Sequence, residues 1–235
     1  MSSEHRFAGH VPDVTGSTMP IFRAVATIFL LSTLSLAGCK IIKTPTAEEA
    51  SAAAATATNN PDRMVADLWD TKVIPYLDAR AGAFNDVLAL SVGDVEAAGA
   101  KYGHREKQGN PPWTLAAKVD GKVLAAETTS RAGSVDVDTN GDGKADVRVQ
   151  IGAAVKGNAI RDSLDFVGFN QFKNQIEWAQ FGKSFNAHLN STVLAKLPRD
   201  KLVGSRIQAL GVFPVGAAGQ LPLLTPVRIT VEPGA

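Results

Sequence analysis

Near residue 103 the apolar residues of this 235-residue chain change their spacing, and that change limits the folds open to it. From Asn60 to about Gly103 they recur with a period near 3.6, and from Trp113 they alternate with polar residues, a pattern interrupted by one later helical stretch. The first pattern belongs to helices packed by one face, the second to strands with one face buried. A chain that does one and then the other, without regular strand–helix alternation, belongs to the α+β class.

The helical part opens at Asn60, a capping residue, with Pro61 at the first helical position. Val65, Leu68, Trp69 and Val73 form its apolar face. Pro75 is expected to break or kink the helix, after which "PYLDARAGAFNDVLAL" continues it through Tyr76, Leu77, Phe84, Val87 and Leu88. A third short helix is expected at Asp94 to Ala100, completing a helical subdomain over residues 60–103.

"WTLAAKVDGKVLAAETTS" reads as two short strands joined by Asp120 and Gly121, a strong hairpin signal, and "GSVDVDTNGDGKADVRVQIG" as a second hairpin. A helix is expected from Gln171 to about Leu189 with Asn170 as its cap. The strands "SRIQALGVF" and "TPVRITVE" follow, linked by a loop holding Gly216, Gly219 and Pro222. This order predicts a small helical subdomain followed by an OB-like, partly open β-barrel over residues 104–235, with one helix before the last two strands. Such a fold does not by itself carry a function.

The N-terminus indicates where the chain works. "MPIFRAVATIFLLSTLSLAGC" reads as a signal peptide over residues 19–38, which makes residues 1–18 an over-long start. Arg23 is its positive segment, and the apolar run Ala24 to Leu36 has 13 residues, too few to span a bilayer. Leu36, Ala37, Gly38 and Cys39 resemble the bacterial lipobox, in which the cysteine thiol receives a diacylglyceryl group before cleavage. The competing reading is a lone buried cysteine. Cys39 is the only cysteine of the chain, which excludes an intramolecular disulfide. Acylation there would make membrane lipid a partner through several chains, each buried methylene contributing about 0.8 kcal/mol. Lys40, in place of the Asp that retains enteric lipoproteins in the inner membrane, favours the outer membrane. Residues 40–59, Ala- and Thr-rich, read as a tether on the periplasmic side of the cell envelope. The net charge of +1 lacks the basic excess of a nucleic-acid binder.

Few residues suggest chemistry. Asp138, Asn140, Asp142, Gly143 and Asp146 occupy positions 1, 3, 5, 6 and 9 of a calcium loop, but position 12 is Val149 rather than Glu and no helices flank it. Residues 138–146 also satisfy the D-x-[DN]-x-D-G-x-x-D pattern, which resembles the hairpin calcium loops of integrin-type propeller repeats. A polar turn built on Asn-Gly and Asp-Gly uses the same residues, and both readings stand. His104, Arg105 and Glu106 form a cluster able to bind an anion or act as acid and base, or simply to hold two parts of the fold together. His188, late in a helix, reads as a capping cation. "FGKSF" lacks the first glycine of a phosphate loop, and H-E-x-x-H and G-x-S-x-G are absent from the sequence.

"IRDSLDFVGFNQFKNQIEWAQ", Ile160 to Gln180, is the most distinctive segment. Phe166, Phe169, Phe172, Ile176 and Trp178 provide apolar bodies, and Arg161, Asp162, Asn170, Asn174 and Gln175 provide directed hydrogen bonds. That mixture suits a sugar or polyol pocket and equally a helix N-terminus packed on a barrel.

This segment, with "GCKI", "LWDTKVIPYL", "AGAKYGHRE", "PW", "SRAG", "LVGSRIQALGVF" and "TPVRITVE", resembles the uncharacterised family of predicted periplasmic lipoproteins catalogued as domain of unknown function number 2291. The likeness covers about residues 39 to 232, and residues 1–18 depart from it. The resemblance implies a helical subdomain beside an OB-like barrel. Genes of the family often stand beside those of ribose-type ABC importers, so it also implies an accessory role in sugar or polyol import, with the importer or its binding protein as partner. It implies no catalytic residue and no cofactor.

The leading expectation is therefore a non-enzymatic, lipid-anchored envelope protein that binds a small carbohydrate or a partner through Arg161, Asp162, Asn170, Asn174 and Gln175, with His104 and Arg105 behind them. Its rivals are an envelope hydrolase using His104 with Glu106 or Asp162, and a structural module stabilised by calcium at Asp138, Asn140, Asp142 and Asp146.

Overall fold

The computed structural model describes residues 60–235, apart from Gln108, Ala218 and Ala235. The signal segment, the lipobox with Cys39, and the tether lie outside the described residues. Helix α1 spans Pro61–Leu68, with the Asn60 side chain accepting from the N–H groups of Asp62 and Arg63. A single π-turn, Trp69–Val73, then leads directly into α2, Ile74–Arg80. The break expected at Pro75 is absent, because Pro75 lies in the first turn of α2, where it costs least, and the wide turn before it already reroutes the hydrogen bonds. The chain leaves the helix at Ala81 instead, where the two-residue strand β1, Gly82–Ala83, pairs with a barrel strand. Helices α3, Phe84–Gly93, and α4, Val95–Tyr102, follow, the second capped by Asp94, and β2, Gly103–His104, ends the segment.

The barrel opens with β3, Thr114–Glu127, one continuous strand of 14 residues, so Asp120 and Gly121 do not form the expected hairpin turn. The reason lies in the pairing. Residues Thr114 to Lys122 pair with β6, Arg206–Pro214, and Lys122 to Glu127 pair with β4, Ser134–Asp138, so β3 passes from one neighbour to the other at the place where a turn was expected. A Cβ at Gly121 would meet the Asp138 carbonyl, so glycine serves a close strand approach there.

The second hairpin is as expected: β4 pairs antiparallel with β5, Val147–Gln150. Next come the one-turn helix α5, Ala159–Asp162, a 3-10 turn over Phe169–Gln171, and α6, Gln175–Thr192. Helix α6 starts four residues later than expected. Asn174, not Asn170, is its cap and accepts the Glu177 N–H at 2.9 Å, while Asn170 lies inside the 3-10 turn. Strand β7, Leu223–Glu232, pairs along β6 and touches β5 through only Arg148↔Leu223 and Val149↔Leu224. That short parallel junction closes the ring β3-β4-β5-β7-β6-β3. The fold is α+β, a helical segment followed by an OB-type barrel.

Two cores hold these elements. Leu115, Ala117, Val119, Val135, Val137, Val147 and Val149 fill one, joined by Phe84, Val87 and Ala98 from α3 and α4. Ala116, Leu210, Val212 and Val227, also on barrel strands, meet Val65, Trp69, Val73 and Leu77 together with Phe181, Phe185 and Leu189 of α6. Neighbours on β3 thus serve different cores, as strand alternation requires. Residues 60–103 are split between both cores, so they pack as part of the barrel's own unit.

Candidate functional site

Where β5, β7, β3 and β6 approach α5 and α6, a pocket of about 390 Å³ opens. One wall is Pro111, Pro112, Thr114, Pro214 and Leu223, and the other is the loop and helix from Lys156 to Asp162, with Trp178 and Glu106 beside them. The second wall is pinned by Gln150. Its Nε2 donates to Thr225 Oγ1 (2.8 Å) and to the Lys156 carbonyl (3.2 Å), and its Oε1 accepts the Lys156 N–H (2.7 Å). The Asn186 side chain then holds the carbonyl of Gly157, a residue at φ +77° that needs glycine's freedom.

Arg161 is the organising side chain. Ala159 and Ile160 anchor α5 in the core and leave the next residue at the pocket edge with only 10% of its side chain exposed. Its Nε and Nη2 both donate to Asp162 Oδ1 (2.8 and 2.6 Å), Nη1 donates to the Trp178 carbonyl (3.1 Å), and the guanidinium lies 4.1 Å from the centroid of the Trp178 ring. A buried cation is tolerated only with such compensation. Gly182 makes the arrangement possible, since a Cβ there would press on Asn158 Oδ1 and Arg161 Nη1.

The pocket also perturbs its acid. Burial pushes the Asp162 carboxyl above the usual range, against the pull of Arg161 and His104. Although 43% of the Asp162 side chain is exposed, that surface lines the pocket, so desolvation still dominates. His104, half-buried on β2, is shifted down by burial, with Asp165 and Glu106 opposing. Arg80 ties this region to α2, donating to the Gly103 carbonyl at 2.6 Å and lying 3.8 Å from Asp165.

Of the residues expected from the sequence, Arg161 and Asp162 line the pocket, together with Glu106 and Trp178. His104 does not line it, although it senses the charge of Asp162 and Glu106. Arg105 makes a two-pronged pair with Glu96 (3.0 and 3.2 Å) and lies 4.5 Å over the Trp113 ring, which Glu96 also engages, so it clamps α4 to the start of the barrel. Asn174 is the α6 cap and Gln175 its exposed first residue. Asn170 is exposed in the turn beside Gly168 and Glu106. His188 packs against Trp69 with ring centroids 4.6 Å apart and planes tilted by 46°, and burial lowers its pKa, so aromatic packing rather than a capping charge describes it. Gln150, Asn158 and Thr225 were not legible as site residues. Gln150 and Thr225 are 75 positions apart, and no local pattern marks such a pair.

The loop at 138–146 closes on itself. Asp138 accepts the N–H groups of Asn140, Gly141 and Gly143, and Asp146 accepts from the Thr139 N–H and hydroxyl and from the Asn140 amide. These donors hold the Asp138 carboxyl below its ordinary range. Gly141 and Gly143 both have positive φ, as the turn requires.

A family described as predicted periplasmic lipoprotein (DUF2291) matches residues 29–230 of the chain. No curated protein matches it. Among solved structures, an OB-fold protein from Thermotoga maritima is 16% identical, with a TM-score of 0.58 over 75% of this chain and 100% of that one. The OBody AM3L09, solved bound to hen egg-white lysozyme, is 15% identical over 52% of this chain and 83% of its own, with a TM-score of 0.25. The first likeness shows the OB fold and no more.

Proposed function

Because the chain belongs to the predicted periplasmic lipoproteins of DUF2291, we propose that it is held to the envelope membrane through acylated Cys39 and binds a small, neutral, polyhydroxylated ligand in the pocket beside Arg161. The observation that carries the reading is the Arg161–Asp162–Trp178 group on the rim of a 390 Å³ pocket. Arg161 and Lys156 supply positive charge while Asp162 and Glu106 supply negative, so the lining has no net charge to attract an ion. Asp162 Oδ1 is occupied by Arg161, which leaves Oδ2 and the Glu106 carboxylate to accept ligand hydroxyls, and the unused guanidinium N–H groups to donate. Pro111, Pro112, Pro214 and Leu223 provide the apolar wall for the C–H face of a sugar ring.

A lipid-anchored protein with such a pocket suits an accessory role in sugar or polyol import, with an ABC importer or its binding protein as partner. The non-enzymatic reading is supported by His104 lying outside the pocket lining and by the Thr225 hydroxyl oxygen being held as acceptor by Gln150 Nε2. The test is calorimetric titration of the mature lipidated chain in detergent micelles against pentoses, hexoses and polyols. Saturable heat with one class, lost in Asp162→Ala, is expected. Heat unchanged in Asp162→Ala would move the ligand elsewhere.

A further inference from the structure

A second hollow, of about 660 Å³, shares Pro214 and Leu223 with the ligand pocket. Leu88 and Val92 of α3 face Val215, Leu221 and Pro222 of the β6–β7 connection across it. Val92 is 82% exposed and Leu221 38%, and Val95, the first residue of α4, is 37% exposed. Residues 207–227 carry no ionisable side chain, which is unusual for a stretch that includes a surface connection. The nearby carboxylates each have a partner in the protein, although Glu96 keeps 61% of its side chain exposed. Asp146 is held by Thr139 and Asn140, Asp94 caps α4, and Glu96 is paired with Arg105 and Trp113. Exposed apolar side chains grouped in this way around a hollow mark an interaction surface.

We propose that this tip, centred on Val92 and Leu221, rests in the headgroup region of the bilayer to which the chain is anchored. The inference rests on acylation at Cys39. Twenty residues separate that cysteine from Asn60, and so short a chain spans at most about 70 Å. The membrane is therefore always at high local concentration, and a contact too weak to recruit the protein from solution suffices to orient it. No soluble partner has that advantage. Because the tip and the ligand pocket share Pro214 and Leu223, contact with the bilayer would hold the pocket close to the membrane surface.

The acyl group occupies the thiol of Cys39, the chain's only cysteine, so an introduced cysteine is the single site for a thiol-reactive dye. Val92→Cys and Leu221→Cys are each labelled with an NBD dye in the lipidated chain, reconstituted into phosphatidylethanolamine–phosphatidylglycerol vesicles. Val203→Cys serves as comparison, because Val203 is 62% exposed and lies at the other end of β6, about 30 Å away at strand rise. The expected result is a shift of emission to shorter wavelength, with quenching by nitroxide-headgroup lipid, at positions 92 and 221 but not at 203. Water-like emission at all three, in vesicles that carry the protein on flotation, overturns the proposal. So does a shift that appears only when importer is added, which would make the tip a protein-docking surface. A chain that fails to float and keeps a free Cys39 thiol overturns the anchoring itself, and is told apart by its intact mass.

Discussion

The guanidinium carbon of Arg161 lies 4.1 Å from the centroid of the Trp178 ring. One face of the indole is thereby used inside the protein, and the cation is fixed by the ring, by Asp162 and by the Trp178 carbonyl together. Arg161 is thus both a structural tie between α5 and α6 and, with Lys156, a source of the pocket's positive charge.

Arg161→Ala should lower stability by about 1–3 kcal/mol, since it leaves a carbonyl and a poorly hydrated carboxylate without their donor. Arg161→Lys should recover little of this, because an ammonium cannot stack flat and reach both acceptors. Urea denaturation of the two variants measures it. Full recovery by lysine would show that charge alone matters.

Ligand affinity should weaken on acidification. The folded-state pKa of Asp162 is raised, so its carboxylate begins to take up a proton at higher pH than an ordinary aspartate and loses an acceptor for ligand hydroxyls. Asp162→Asn should bind about tenfold or more weakly at neutral pH, the loss of one charge-assisted hydrogen bond, with a flatter pH profile. Titrations across mildly acidic to neutral pH decide it. An unchanged profile in the variant would place the titrating group elsewhere.

His104 should make the fold less stable in mild acid. Its pKa is lowered in the folded state, so the unfolded chain binds the proton more readily, and stability present above about pH 6.5 is lost as pH falls through the unfolded value toward the folded one. His104→Gln should remove that part of the slope. Thermal melts at successive pH values, with equal slopes for both proteins as the contrary result, check it.

The 138–146 loop should hold its shape through its own N–H donors. Asp138→Ala is expected to lower the melting midpoint, whereas millimolar calcium followed by chelator should leave the wild-type midpoint where it was. The Asp138 carboxyl is shifted down, so its contribution is present above the ordinary aspartate pKa and is lost as pH falls through the lower folded value. A midpoint that rises with calcium and falls with chelator would make the loop a cation site instead.

Gly121→Val should cost about 1–3 kcal/mol or prevent folding, because the new side chain would press on the Asp138 carbonyl of the neighbouring strand. Had Gly121 been a hairpin turn at the surface, the cost would arise from backbone conformation, and Asn would rescue it. Chemical denaturation of Gly121→Asn beside Gly121→Val separates these cases.

Local signals determined much of this molecule. Asn60 before Pro61, the alternation through Val135, Val137, Val147 and Val149, and the apolar runs of β6 and β7 mark helix start, hairpin and final strands, because each depends on neighbours within a few positions. The α+β class, the OB-type barrel and the family were legible from such signals in combination.

Tertiary structure decided the rest. Asp120-Gly121 looks like a turn until β6 and β4 are both placed against β3, and Asn170 looks like a cap until Asn174 accepts the Glu177 N–H in the first turn of α6. The sequence marked Arg161 and Asp162 as candidates, but it could not show that Gln150 would bind Thr225, or that Gly182 would leave room for Asn158 and Arg161. Such contacts join segments distant along the chain. They are set by how strands and helices close around two shared cores, and periodicity within any one segment carries no record of that closure.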